Sequence, residues 1–80
     1  MAIYTKQLSD GYVKVAAGPA QLQCAIDGTK LGVIHNATAP SATATPEFTF
    51  SHGVVQTKGT ADCYVIALSI TPITFSATAT

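Results

Sequence analysis

Turn chemistry recurs along this chain roughly every eight to twelve residues, a spacing that leaves room for short strands and little else. The markers are "SDG" at Ser9 to Gly11, "GP" at Gly18-Pro19, "DG" at Asp27-Gly28, "KGT" at Lys58 to Thr60 and "TP" at Thr71-Pro72. Each supplies a residue whose φ is either permissive or fixed. Between and beside them lie "YTKQL", "YVKVA", "AQLQCAID", "KLGVIH", "EFTFSH", "GVVQT", "DCYVIALSI" and "ITFSATA", rich in β-branched and aromatic residues. No window of ten or more residues free of Gly and Pro carries apolar residues at helical spacing. The expected fold is all-β: a small antiparallel β-sandwich or jelly-roll-like barrel of seven to eight short strands. Asp27-Gly28, between "QLQCAI" and "TKLGVI", is the sharpest hairpin signal, because Asp-Gly suits a type I′ turn.

Eighty residues allow one domain, 1–80, with a thin core. The segment Asn36 to Pro46, "NATAPSATATP", is therefore not a linker, since neither flank is large enough to fold alone. It is expected to be a surface loop, long for a hairpin, that crosses between sheets or reaches a partner.

Alternation sorts the strand faces. Leu22, Cys24 and Ile26 oppose Gln21, Gln23 and Ala25; Phe48 and Phe50 oppose Glu47, Thr49 and Ser51; Ile73, Phe75 and Ala77 oppose Thr74, Ser76 and Thr78. In "DCYVIALSI" both faces are apolar, with Tyr64, Ile66, Leu68 and Ile70 on one side and Cys63, Val65 and Ala67 on the other. Such a strand needs cover on both sides, either from the long loop or from another subunit. Charged residues are only 10% of the chain, against about a quarter in ordinary domains. That poverty of charge favours the second option, a homo-oligomer whose subunit contact is made by Cys63, Val65 and Ala67. With the larger faces at the core, Cys24 and Cys63 lie on opposite sides of their sheets, so buried thiols are expected rather than a disulfide.

Charge also limits the partners. Four Lys balance four acidic residues, and Lys6, Lys14, Lys30 and Lys58 are scattered rather than clustered, so no nucleic-acid face is expected. No apolar run approaches a membrane span of about 18 residues. The opening "MAIYTKQLSDG" has no signal-peptide character, which points to a chain made in a cytoplasm. "NAT" at Asn36 to Thr38 matches the glycosylation pattern by chance in that setting.

Catalytic and metal chemistry is not expected. His35 and His52 each follow a strand-like segment, but two His make an incomplete zinc site. Ser51 and His52 are adjacent and point to opposite faces of a strand, so Ser51, His52 and Asp62 form no triad. Asp10, Asp27 and Asp62 lie at or beside turns, where backbone hydrogen bonding explains them. No cofactor fingerprint occurs. Tyr4, Tyr12 and Tyr64 are candidates for a sugar platform, and the Thr spacing of "TAPSATAT" and "TFSATAT" for an ice-binding surface.

The order of parts carries a resemblance. "YTKQLSDGYVKVAAGPAQLQC" leads to "GVIHNATAPSATATPEFTF", then a polar turn, then "ADCYVIALSITPITFSATA". This resembles small β-sandwich proteins of bacteriophage virions: head decoration, head fibre or minor structural proteins. The resemblance implies a non-enzymatic virion protein, assembled in the host bacterial cytoplasm, that forms homo-oligomers, often trimers. It further implies docking on the major capsid protein. The loop residues Asn36, Thr38, Pro40, Thr43 and Thr45 are then the expected contact with the shell or a neighbour. A carbohydrate-binding module of a phage tail or host surface is the alternative.

Overall fold

A computed structural model describes residues 1–25 and 30–80. The Asp27-Gly28 turn and Ile26 lie outside the described residues. The described residues form eight strands: β1 (Ala2–Lys6), β2 (Val13–Ala16), β3 (Ala20–Cys24), β4 (Leu31–His35), β5 (Phe48–Phe50), β6 (Gly53–Gln56), β7 (Cys63–Ala67) and β8 (Ile73–Ala79). Each falls within or across one of the eight segments picked out by pattern. Among the described residues one 3₁₀ turn, Leu8–Asp10, closes on Gly11 at φ 69°, where only glycine is unstrained.

The strands form two antiparallel four-stranded sheets, ordered β1-β8-β3-β6 and β2-β7-β4-β5. Pairing is nested: β1 with β8, β2 with β7, β3 with β6, and β4 with β5. One long hairpin, its tip between β4 and β5, is in effect folded over on itself. This is the strand order of a jelly roll, and the fold is a small β-sandwich.

The core lies between the sheets. β3 and β8 contribute Ala20, Leu22, Cys24, Ile73, Phe75 and Ala77; β4 and β7 answer with Leu31, Val33, Cys63, Val65 and Ala67. Each fully buried Leu, Ile or Val contributes about 1.5–3 kcal/mol. The alternation of β3, β5 and β8 is therefore read correctly from the sequence, although Phe48 on the edge strand β5 stays partly exposed.

β7 reverses the expectation. Its small face, Cys63, Val65 and Ala67, is the core face, and these residues are 0–1% exposed. They are not at a subunit contact, because the opposite sheet already covers them. The physical reason is volume: Leu22, Ile73 and Phe75 fill the gap from the other sheet, leaving space for small partners. The larger Tyr64 and Ile66 turn outward, yet both remain buried. Leu68 and Ile70 lie beyond the strand and are exposed.

The Asn36–Pro46 loop covers the face at Ile66. It is a hairpin connection within one sheet, not a crossover, and it folds back as a strap over the sheet's outer face. Pro46 sits against Gly32, which stands opposite Ile66 in the β4–β7 register. Farther along the strap, Ala44 O accepts a 2.8 Å hydrogen bond from the Tyr12 hydroxyl. The strap is pinned at its end by Glu47 N donating to Val33 O (2.8 Å) and by Glu47 Oε1 accepting from His35 N (3.2 Å). It holds its own shape through Ala44 N to Ser41 O (2.9 Å) and Thr43 N to Ser41 Oγ (3.1 Å). The loop supplies a third layer over Gly32 and Ile66.

Candidate functional site

Side-chain alternation places two kinds of outer surface on the molecule. Over the sheet β2-β7-β4-β5 lie the strap, the Lys14–Asp62 ion pair (3.3 Å) and Glu47. The outer face of β1-β8-β3-β6 is bare. It presents Ile3 and Thr5 from β1; Thr74, Ser76 and Thr78 from β8; Gln21, Gln23 and Ala25 from and just after β3; and Val54 and Gln56 from β6. None of the strand residues paired on this face is charged. Lys6, the nearest by sequence, pairs with the core residue Ile73 and turns to the inter-sheet side. Ile3 is 68% and Val54 53% exposed, one on each edge strand of the sheet.

A row of directly paired residues crosses the face: Ile3 opposite Ser76, Ser76 opposite Gln23, Gln23 opposite Val54. The Thr5 and Thr74 hydroxyls bond to each other at 3.0 Å. Ile3, Gln23, Ala25, Thr74, Phe75 and Ser76 enclose a depression of about 180 Å³, below the roughly 300–1,000 Å³ of small-molecule sites. Such a surface suits broad contact, apolar at its margins and hydrogen-bonding between them, more than capture of a small ligand.

The other sequence-derived candidates are distributed as follows. In the strap Asn36, Thr38, Thr43 and Thr45 are exposed and Pro40 is half-buried. Asn36 Nδ2 donates to Thr38 O at 3.0 Å, and the Ser41 and Thr43 hydroxyls bond at 2.8 Å. The loop thus offers a fixed polar ridge. The three tyrosines form no shared platform. Tyr4 stacks on Phe75 (centroids 5.3 Å, 18° between planes), Tyr12 is half-buried and bonded to the strap, and Tyr64 is buried. Thr74, Ser76 and Thr78 do project in a row, with Thr5 beside Thr74, but Ile3, Gln21 and Gln23 flank the other two and interrupt any repeating Thr lattice. The "TAPSATAT" threonines belong to the strap, not to a strand.

His35 and His52 do not meet. His35 is level with Cys63 at one end of the sandwich, whereas His52 follows β5 at the end marked by Leu31 and Phe50. The same separation divides Ser51 and His52 from Asp62. Among the described residues no group of three or more His, Cys, Asp or Glu is placed to hold a metal ion. His35 packs its ring on Gly59, and its Nδ1–H donates to Ala61 O at 2.7 Å. That bond fixes the tautomer and leaves Nε2 buried without a partner among the described residues. No described helix is long and apolar enough to cross a membrane.

The cysteines are buried thiols, not a disulfide. Both face the core, contrary to the expected opposite placement, and what separates them is distance along it. Cys63 is hydrogen-bonded by Thr57, whose hydroxyl also accepts from Ala20 N at 2.9 Å. Cys24 lies four residues farther along β3 from Ala20, roughly 13 Å at strand rise. Burial is the main cause that pushes the Cys63 thiol up to about 11; Glu47 adds to this, and the Thr57 hydrogen bond opposes it.

No protein-family model, curated protein or solved structure matches this chain.

Proposed function

We propose that this chain is a non-enzymatic structural protein of a bacteriophage virion, a decoration or head-associated protein that assembles with its own copies and docks on the major capsid shell. One observation carries the reading: an entire sheet face of a small domain is uncharged, with apolar residues at both margins. Solitary soluble domains normally intersperse charges over such a surface, and a broad neutral face suits contact with other protein. The jelly-roll order supports the reading as a fold used repeatedly in viral shells, although a fold alone brings no function with it. The resemblance in the order of sequence parts supports it independently. The strap, with Asn36, Thr38, Thr43 and Thr45 outward, is the second surface available for the shell.

Cosedimentation tests this. Shells assembled from the major capsid protein encoded alongside this chain are mixed with the purified protein and pelleted. Saturable binding at a fixed ratio to capsid subunits is the expected result. Recovery of all the protein in the supernatant overturns the proposal. The carbohydrate alternative loses its main support, because the tyrosines it needs are stacked, bonded or buried.

A further inference from the structure

The four sheet edges are not equivalent. β2 carries a register shift between Lys14 and Ala16, and its Lys14 is held by Asp62. β5 is only three residues long. β6 starts at Gly53 with φ 95° and ends where Thr57 N donates back to Ala20 O at 2.8 Å. Bulges, charges and brevity are the devices by which edge strands avoid pairing with other chains. β1 is the longest of the four edges and has no bulge. Ala2–Lys6 keeps unbroken register with β8 over five residues, contains neither Pro nor Gly, and has its one charge at the last position.

We infer that β1 is the assembly edge, and that its occupant is β1 of a second copy, paired antiparallel about a two-fold axis near Tyr4. An isologous contact requires the surface to complement itself, and "AIYTK" does so in this register. Ile3 lies across from Thr5 of the other copy on the neutral outer face. Lys6 lies across from Ala2, so the lysines stand at the two ends and like charges do not meet. The two four-stranded sheets become one of eight strands, β6-β3-β8-β1-β1-β8-β3-β6, with a continuous uncharged outer face. This rests on the proposed assembly role and makes a pair, rather than a trimer, the basic unit.

Light scattering on the wild type, Ile3→Lys and Val54→Lys decides it. Both substituted sites are exposed, and circular dichroism with thermal melts verifies that each variant is folded. The wild type is expected at twice the 8.2 kDa chain mass at about 100 µM. Ile3→Lys should raise the dissociation constant at least tenfold, and Val54→Lys, on the far edge, should leave it within twofold. Amide exchange should slow at β1 as wild-type concentration rises. A pair that survives Ile3→Lys, one that Val54→Lys dissolves equally, or a wild-type trimer overturns edge pairing and leaves assembly standing. A wild-type monomer at this concentration overturns edge pairing too, while shell cosedimentation judges capsid docking separately.

Discussion

Replacing Gly32 with Ala tests whether the strap is the third layer of the fold. A Cβ at residue 32 would lie 2.7 Å from Pro46 Cγ and 3.0 Å from both Pro46 Cβ and Ile66 Cγ2. The proline ring has no rotamer to escape into, and Ile66 is held between two layers. Judged by strand preference alone, Ala for Gly should stabilise by about 0.5–1 kcal/mol. Overpacking costs about 1–3 kcal/mol, so a net loss of about 1–2 kcal/mol is expected. At about 4–8 °C per kcal/mol for a domain of this size, Tm should fall by about 4–16 °C. Calorimetry gives the shift, and limited digestion with proteinase K should cut faster between Asn36 and Pro46. Gly18→Ala is the control, because its Cβ would meet only Thr60 O at 4.0 Å. A Gly32→Ala protein as stable as the wild type, or more so, with an equally resistant strap, would refute the packing described.

Two further outcomes follow from the polar groups at the end of the core. Because the folded Cys63 thiol titrates near 11 instead of about 9, the unfolded chain releases this proton first as pH rises. Stability is therefore full below about pH 9 and falls between 9 and 11, by about 2–3 kcal/mol for this group. Urea unfolding across that range should show a steeper decline for the wild type than for Cys63→Ala, and parallel curves would disprove it. Thr57→Val removes the acceptor for the buried Ala20 N–H, and should cost about 1–3 kcal/mol in urea unfolding; a loss under 0.5 kcal/mol would contradict that role.

Strand positions were legible because period-2 alternation and turn residues are local signals. Leu22 and Cys24 against Gln21 and Gln23, or Phe75 and Ala77 against Ser76 and Thr78, state their own orientation. β7 does not: with Val65 and Ile66 both apolar, alternation divides the strand but gives no sign. The decision was made elsewhere, by the bulk of Leu22, Ile73 and Phe75 across the core and by the missing side chain of Gly32. For the same reason the interface expected at Cys63, Val65 and Ala67 lies inside the sandwich. The strap was recognisable as a loop, but Ala42, Ala44 and Pro46 carry too little hydrophobic signal to announce that they cover a sheet. The neutral face, by contrast, was written in Gln21, Gln23, Thr74, Ser76 and Thr78. Its extent became visible only once β3 and β8 were adjacent and flanked by Ile3 and Val54.

The nested pairing imposes a sequence of events on the chain as it acquires structure. Joining β4 to β5 closes the shortest of the four loops, whereas the Thr5–Thr74 contact joins positions 69 apart. Closure entropy grows with the logarithm of that span, so each inner pair shortens the loop that the next must close. Zippering outward from the Asn36–Pro46 tip is the least costly route, and topologies with such distant partners condense slowly. β1 would join last, since until β8 is seated beside β3 it has no strand to pair with.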